Sequence, residues 1–169
     1  MKNNRKRKLP KGIKSEEFSK LIKVIPNKDK LSKIVFLLAF GSGLRISEVS
    51  HLEKRHIQEN YIEIWEGKGN VDRTVPKPKS WRNWMLNFLP IKKSHRTLQR
   101  NFKKYSKKAE LPENYTFHSL RHGFALRSIE SGIPINQVQL LLGHSSISVT
   151  NVYTRARPQD ALNSYERLF

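Results

Sequence analysis

The apolar residues of this chain recur at helical spacing in short segments, and glycine or proline ends most of these segments. Residues 31–38 show this spacing, and Gly41 and Gly43 follow them as candidate helix stops. The longest uninterrupted apolar run, residues 34–40, is seven residues long, whereas a membrane-spanning helix needs about 20. The pattern therefore predicts a mainly α-helical, non-membrane fold.

The same reasoning divides the rest of the chain. Ser15 is a candidate N-cap for a helix that reaches about Ile25, because the two acidic residues after it favour the positive end of a helix. Further helices are predicted over residues 46–52, 80–89, 94–109, 117–131, 135–142 and 146–154, and from 158 onward.

One segment alternates with the period of a strand instead. Tyr61–Trp65 is rich in β-forming residues, and a second extended run ends at Pro76. This pattern predicts a β-hairpin with Lys68 at its tip. The predicted fold class is therefore mainly α with a small antiparallel β-sheet (α+β).

The charge of the chain points to its partner. Lys and Arg number 33 against 14 Asp and Glu, a formal net charge of +19. Residues 1–14 are predicted to be a flexible basic arm, and residues 15–169 the folded domain. The expected partner is a nucleic acid, because no strongly apolar basic helix indicates a membrane surface. The expected DNA-binding residues are Arg5, Lys6, Arg7, Lys8, Arg96, Arg100, Lys103, Lys104 and Lys107.

The absence of cysteine excludes disulfide frameworks, thiol chemistry and cysteine-bound zinc. No signal peptide is recognised in the sequence. We expect a cytoplasmic, DNA-associated protein with no membrane partner.

Three polar clusters stand out as candidates for chemistry. They are GLRISE at 43–48, HSLRH at 118–122, and LGH at 142–144, which Tyr153 follows nine residues later. In this order, and with Lys68 between two glycines, they resemble the catalytic domain of the tyrosine recombinase (phage integrase) family. The resemblance covers residues 15–169. Members of the family usually carry an N-terminal core-binding domain as well, and this domain is absent from the given sequence, so the chain is either a fragment of a longer protein or a minimal enzyme that relies on the basic arm.

The resemblance implies six catalytic residues, namely Arg45, Lys68, His118, Arg121, His144 and Tyr153. The family's reaction is site-specific cleavage and rejoining of DNA through a 3′-phosphotyrosyl intermediate. It implies no cofactor and no metal. The resemblance further implies that four copies of the chain assemble on double-stranded DNA and contact one another through the C-terminal helix. In the absence of DNA we expect a monomer.

Elementary chemistry supports the same roles. Two guanidiniums can hold the oxygens of a phosphoryl group bidentately. A tyrosine hydroxyl with a pKa near 10 needs a base, for which His118 is the candidate, and Lys68 can protonate the departing 5′-oxygen. Glu48 is expected to orient Arg45.

Other interpretations remain open at this stage. A type IB topoisomerase uses similar residues to relax supercoils, and a non-catalytic basic module would keep only DNA binding. His118 and His122 have a spacing that can hold zinc, but Ser119 replaces the expected glutamate. The C-terminal helix can equally fold back on its own core. Gly123, inside a predicted helix, suggests local looseness near Arg121.

Overall fold

The computed structural model describes residues 12–65, 71–143, 162–163 and 165–167; six α-helices and one two-stranded sheet form its main elements, and residues 162–163 and 165–167 are also helical. The α-helices are α1 (Ser15–Lys23), α2 (Lys30–Ser42), α3 (Ile46–His51), α4 (His95–Lys108), α5 (His118–Glu130) and α6 (Ile135–Leu142). Strands β1 (Tyr61–Trp65) and β2 (Val71–Pro76) pair antiparallel, with Ile62 opposite Val75. Two 3₁₀ helices cover Lys54–His56 and Asn83–Phe88. This architecture confirms the predicted fold class.

Helix α2 occupies the centre of the fold because its sequence is apolar on nearly every side. It contacts α3, α4, α5 and β2. The ring of Phe36 meets Phe102 of α4 and Phe117 edge-on, with ring centroids 5.6 Å and 6.1 Å apart. Phe117 is the cap residue of α5, so these contacts hold α4 and the start of α5 against α2.

Local signals set most boundaries close to where the sequence predicts them. The Ser94 hydroxyl accepts a hydrogen bond from the Thr97 backbone N–H at 3.2 Å and begins α4. Helix α6 ends at Gly143. The rings of Tyr105 and Tyr115 are buried.

Three local predictions are wrong. Ser15 is the first residue of α1 rather than its cap, because the Glu17 carboxylate accepts from the Lys14 backbone N–H at 2.9 Å. Gly41 lies inside α2, which ends at Gly43 with a φ of +69°. The helix predicted over 80–89 is a 3₁₀ helix over Asn83–Phe88, since its apolar side chains are only partly buried and offer little packing to a longer α-helix.

The packed part of the chain begins before the predicted domain boundary. Ile13 is buried, and its backbone N–H donates to the Ser119 carbonyl oxygen at 3.0 Å. Gly12 and Ile13 therefore belong to the domain rather than to a flexible arm of residues 1–14. The looseness predicted at Gly123 is also wrong, because this residue is buried and packs directly against Ile13.

A second, smaller apolar cluster joins α5 and α6 to residues near the C-terminus. Leu162 and Tyr165 are buried in it, and the Tyr165 ring stacks on Phe124 with centroids 5.7 Å apart. In this structure these two side chains pack on their own chain. None of the helices in the described residues has the length and apolar character needed to cross a bilayer.

Candidate active site

The candidate site is built around the carboxylate of Glu48, in the first turn of α3. Glu48 accepts from the Arg45 backbone N–H at 2.7 Å and from the Arg45 guanidinium at 2.7 Å. An acid three residues after the N-cap is a local capping pattern, so the GLRISE sequence fixes this contact by itself. The geometry agrees with the prediction that Glu48 orients Arg45. The Arg45 side chain remains 35% exposed, and that of Glu48 only 4%.

Arg121 approaches the same carboxylate from α5. Its guanidinium lies 3.7 Å from Glu48 Oε2 and is only 3% exposed. It donates to the Gly43 carbonyl oxygen at 2.7 Å and to that of Leu142. The two arginines predicted to hold phosphate are therefore brought together by one buried acid.

A third arginine, which the sequence analysis missed, completes the cluster. Arg73 of β2 donates to Glu48 Oε1 at 2.8 Å, and its side chain is 6% exposed. Its Nε donates to the Leu141 carbonyl oxygen at 2.9 Å. Its place in the strand was the available signal. Arg73 and Val75 are two residues apart and therefore share the inward, buried face of the strand, where a charge needs a partner.

The three arginines also hold the end of α6. Three consecutive carbonyls, those of Leu141, Leu142 and Gly143, accept from Arg73, Arg121 and Arg45 respectively. The last carbonyls of a helix lack partners within the helix and carry partial negative charge. Guanidiniums therefore satisfy this helix end, and the residue that follows it in sequence is His144.

The arginines control the ionisation of Glu48. Burial acts to raise the pKa of this carboxyl, but the charge of Arg73 and the hydrogen bonds from Arg45 and Arg73 outweigh burial and lower the pKa below its ordinary value. Glu48 is thus ionised at neutral pH. The described side chains of the cluster carry three positive charges and one negative charge.

His118 lies beside this cluster at the start of α5 and is exposed. Its ring meets that of His122 nearly perpendicularly, with centroids 4.5 Å apart. Within the described residues, no third histidine or acid joins this pair in a group suited to a metal ion.

A groove of about 800 Å³ connects the predicted catalytic residues with the basic helix α4. Arg45 and His118 line one part of it, and Arg96, Arg100 and Lys103 line another. The last three lie on one face of α4, at a spacing of four and then three residues.

The remaining predicted residues of α4 do not line this groove. Lys104, one turn from Arg100, is not among the groove residues. Burial acts to raise the pKa of Asp29, and hydrogen bonds from Tyr105 and Ser32, with a smaller effect of the Lys104 charge, lower it. Lys107 lines a separate surface pocket with Lys103. Seven other predicted site residues lie outside the described residues, namely Arg5, Lys6, Arg7, Lys8, Lys68, His144 and Tyr153.

Known proteins resemble this chain in sequence over most of its length. Tyrosine recombinase XerA of Pyrococcus furiosus is 37% identical over 180 residues, which cover 94% of this chain. The chain spans 62% of the length of that relative.

Two solved structures show the same fold. A crystal structure of XerA recombinase has a TM-score of 0.71 at 22% identity, over 95% of this chain and 66% of that one. A lambda integrase tetramer bound to a Holliday junction has a TM-score of 0.59 at 20% identity, over 85% of this chain and 49% of that one.

The family assignment rests on a match over most of the sequence. The model of the phage integrase family matches residues 11–160, a range that contains the Glu48 cluster, the groove and all six predicted catalytic positions. The chain belongs to the phage integrase family.

Proposed function

We propose that this chain cuts and rejoins DNA strands through Tyr153, without a metal or other cofactor. The phenolic oxygen attacks a phosphodiester, the bond to the 5′-oxygen breaks, and a 3′-phosphotyrosyl bond and a free 5′-hydroxyl result. Attack by a 5′-hydroxyl of a second strand reverses the step, so the number of phosphoester bonds is conserved. The observation that carries the proposal is the arginine cluster around Glu48, which opens beside a groove lined by basic residues.

The proposed roles follow the chemistry of phosphoryl transfer. Arg45 and Arg121 stabilise the charge that builds on the non-bridging oxygens, an effect of about 10²- to 10³-fold per donor. His118 accepts the tyrosine proton, and Lys68 gives a proton to the departing 5′-oxygen. His144 donates a further hydrogen bond to the phosphate.

The groove along α4 is proposed to hold the DNA backbone. Arg96, Arg100 and Lys103 supply positive charge next to Arg45 and His118, so a duplex bound along α4 would bring a phosphate toward the cluster. Lys104 and Lys107, together with the basic residues Arg5, Lys6, Arg7 and Lys8, are proposed as secondary backbone contacts. Such contacts fix position rather than sequence.

Assembly on DNA is the remaining part of the proposal. The lambda integrase structure to which this chain is similar is a tetramer on a Holliday junction. We propose that this chain also assembles as a homotetramer on two duplexes, with the C-terminal helix as the link between copies. Leu162 and Tyr165 pack on their own chain in this structure, so exchange of the helix would require these two side chains to leave their cluster.

A covalent-capture experiment tests the chemistry without knowledge of the target site. A library of nicked duplexes with random sequence around the nick is incubated with protein in EDTA, and denaturant-resistant adducts are recovered. We expect an adduct with the wild type and with the control Tyr61→Phe, and none with Tyr153→Phe. An adduct of equal yield from Tyr153→Phe would refute the assignment of Tyr153 as the nucleophile. The absence of an adduct from the wild type would refute the proposed strand-cleavage activity.

The second half of the reaction separates recombination from relaxation. DNA fragments recovered with the adduct are cloned as paired sites on a supercoiled plasmid. We expect strand exchange between the sites. Relaxation of the plasmid with no exchange would instead favour the topoisomerase interpretation.

A further inference from the structure

Arg73 occupies an unusual place for an arginine. It lies on a strand of the hairpin, yet its guanidinium is buried and reaches two other elements, the Glu48 carboxylate of α3 and the Leu141 carbonyl of α6. Arg73 and Arg121 are both absent from the residues that line the groove, but Arg73 bonds the Glu48 carboxylate at 2.8 Å whereas the Arg121 guanidinium lies 3.7 Å from it. The position of Arg73 differs from that of Arg45, which is both bound to Glu48 and partly exposed.

The charges explain what such a residue can do. One Glu48 carboxylate would by itself cancel one of the two charges on Arg45 and Arg121, leaving a single positive charge. With Arg73 bound to the same carboxylate, the described cluster carries a net charge of +2. A phosphodiester carries one negative charge, and a second builds up as an oxyanion attacks it. A net +2 therefore matches the transition state rather than the ground state.

We propose that Arg73 is a positioning and charge-balancing residue, which occupies Glu48 so that the charges of Arg45 and Arg121 stay available to a phosphoryl group. The inference rests on the proposed function for its physiological substrate. It predicts that Arg73 acts on the rate of strand cleavage more than on DNA affinity, because it acts through Glu48 and the charge that it balances matters most where negative charge builds up in the transition state.

Single and double variants at Glu48 and Arg73 distinguish the effect of the cluster's net charge from the effect of losing the Arg73 side chain. Arg73→Met reduces the net charge to +1, and Glu48→Gln with Arg73→Met returns it to +2. We expect Arg73→Met to lower the rate of adduct formation at saturating DNA by about 10- to 100-fold, with the dissociation constant changed less than about threefold. The double variant should recover most of the rate. Arg82→Met is the control, since Arg82 is exposed and bonds only the carbonyls of Lys79 and Trp81 among the contacts described.

A neutral substrate distinguishes charge balance from a merely structural role. A methylphosphonate at the scissile position removes one negative charge from the reacting group. Electrostatic energy scales with charge, and the methylphosphonate has about half the negative charge of the phosphodiester in the transition state. The fold-loss of rate caused by Arg73→Met on the methylphosphonate should therefore be about the square root of the fold-loss on the phosphodiester. A structural defect would give the same fold-loss on both substrates, and that result would overturn the proposal. All variants are compared at a temperature where circular dichroism shows them folded.

Inorganic phosphate provides a readout that does not depend on DNA cleavage. We expect phosphate to raise the melting temperature of the wild type and the double variant more than that of Arg73→Met. Equal shifts in all three proteins would refute the charge argument. If the wild type forms no adduct while the phosphate series follows this order, the proposed function fails and the charge balance stands.

Discussion

A Cβ atom placed on Gly123 would lie 2.3 Å from the carbonyl oxygen of Ile13. The backbone of residues 12–13 therefore rests directly on α5, two residues after Arg121. No side chain fits between the two segments without moving one of them. The close approach explains why a helix that carries a predicted catalytic arginine contains a glycine at this point.

Gly123→Ala should consequently destabilise the protein, although alanine favours helices. Overpacking of a tight contact costs about 1–3 kcal/mol, which exceeds the roughly 1 kcal/mol that alanine gains over glycine in a helix. The midpoint of urea unfolding should fall. In a chain that begins at Lys14 the same substitution should cost much less, and an equal cost in both backgrounds would contradict the contact.

Contacts between distant residues account for what the sequence analysis missed. Helices α4 and α6 were predictable because Ser94 and Gly143 mark their ends locally. The Arg45–Glu48 contact was predictable for the same reason, since the two residues share a helix turn. The role of Arg73 was not, because its partners lie 25 and 68 residues away along the chain. The burial of Gly12 and Ile13 likewise depends on α5, far along the chain.

The pKa of Glu48 leads to a prediction about acid stability. The folded pKa is below its ordinary value of 4.5, so the ionised carboxylate stabilises the folded state above about pH 4.5. This contribution is lost as the pH falls through the lower, folded pKa. Glu48→Gln should therefore destabilise the protein at neutral pH by about 3–5 kcal/mol, the usual cost of breaking a buried ion pair.

The difference between wild type and Glu48→Gln should shrink on acidification. Free energies of unfolding measured in urea at a series of pH values from about 7 down to about 3 would show this. Other carboxyl groups titrate in both proteins and cancel in the comparison. A difference that stayed constant over this range would mean that the arginines do not lower the pKa of Glu48.

Tyr115 provides the opposite, alkaline case. Burial and its hydrogen bond to the Glu17 carboxylate at 3.0 Å raise the pKa of Tyr115 to about 12, from an ordinary value of 10. Its stabilising effect is therefore complete below pH 10 and is lost as the pH rises through about 12. Tyr115→Phe should lose less stability than the wild type over this range. Phenolate absorbance should also show one fewer tyrosine titrating late.

A control keeps the assignment to Tyr115 specific. Burial and the bond to Asp29 also raise the pKa of Tyr105 to about 12, and burial raises the pKa of Tyr165. In a Tyr165→Phe background, one late titration should therefore persist when Tyr115→Phe is added, and none when Tyr105→Phe and Tyr115→Phe are both added. Late titration that survives in this triple variant would assign these values to other tyrosines.

Two neighbouring basic residues of α4 should contribute differently to DNA binding. Arg100 lines the groove that contains Arg45 and His118, whereas Lys104, one turn further along α4, is not among the residues that line it. Each phosphate contact contributes about 0.9 to the slope of log affinity against log salt concentration. Arg100→Gln should reduce this slope by about one contact, and Lys104→Gln, which removes a secondary contact outside the groove, should reduce it by clearly less than one. The two variants remove the same charge from the same helix, so net charge alone would lower both slopes equally. Equal slopes, measured by titration of a labelled duplex, would therefore mean that the DNA does not bind along the groove. That result would refute the proposal that DNA bound along α4 brings a phosphate to Arg45.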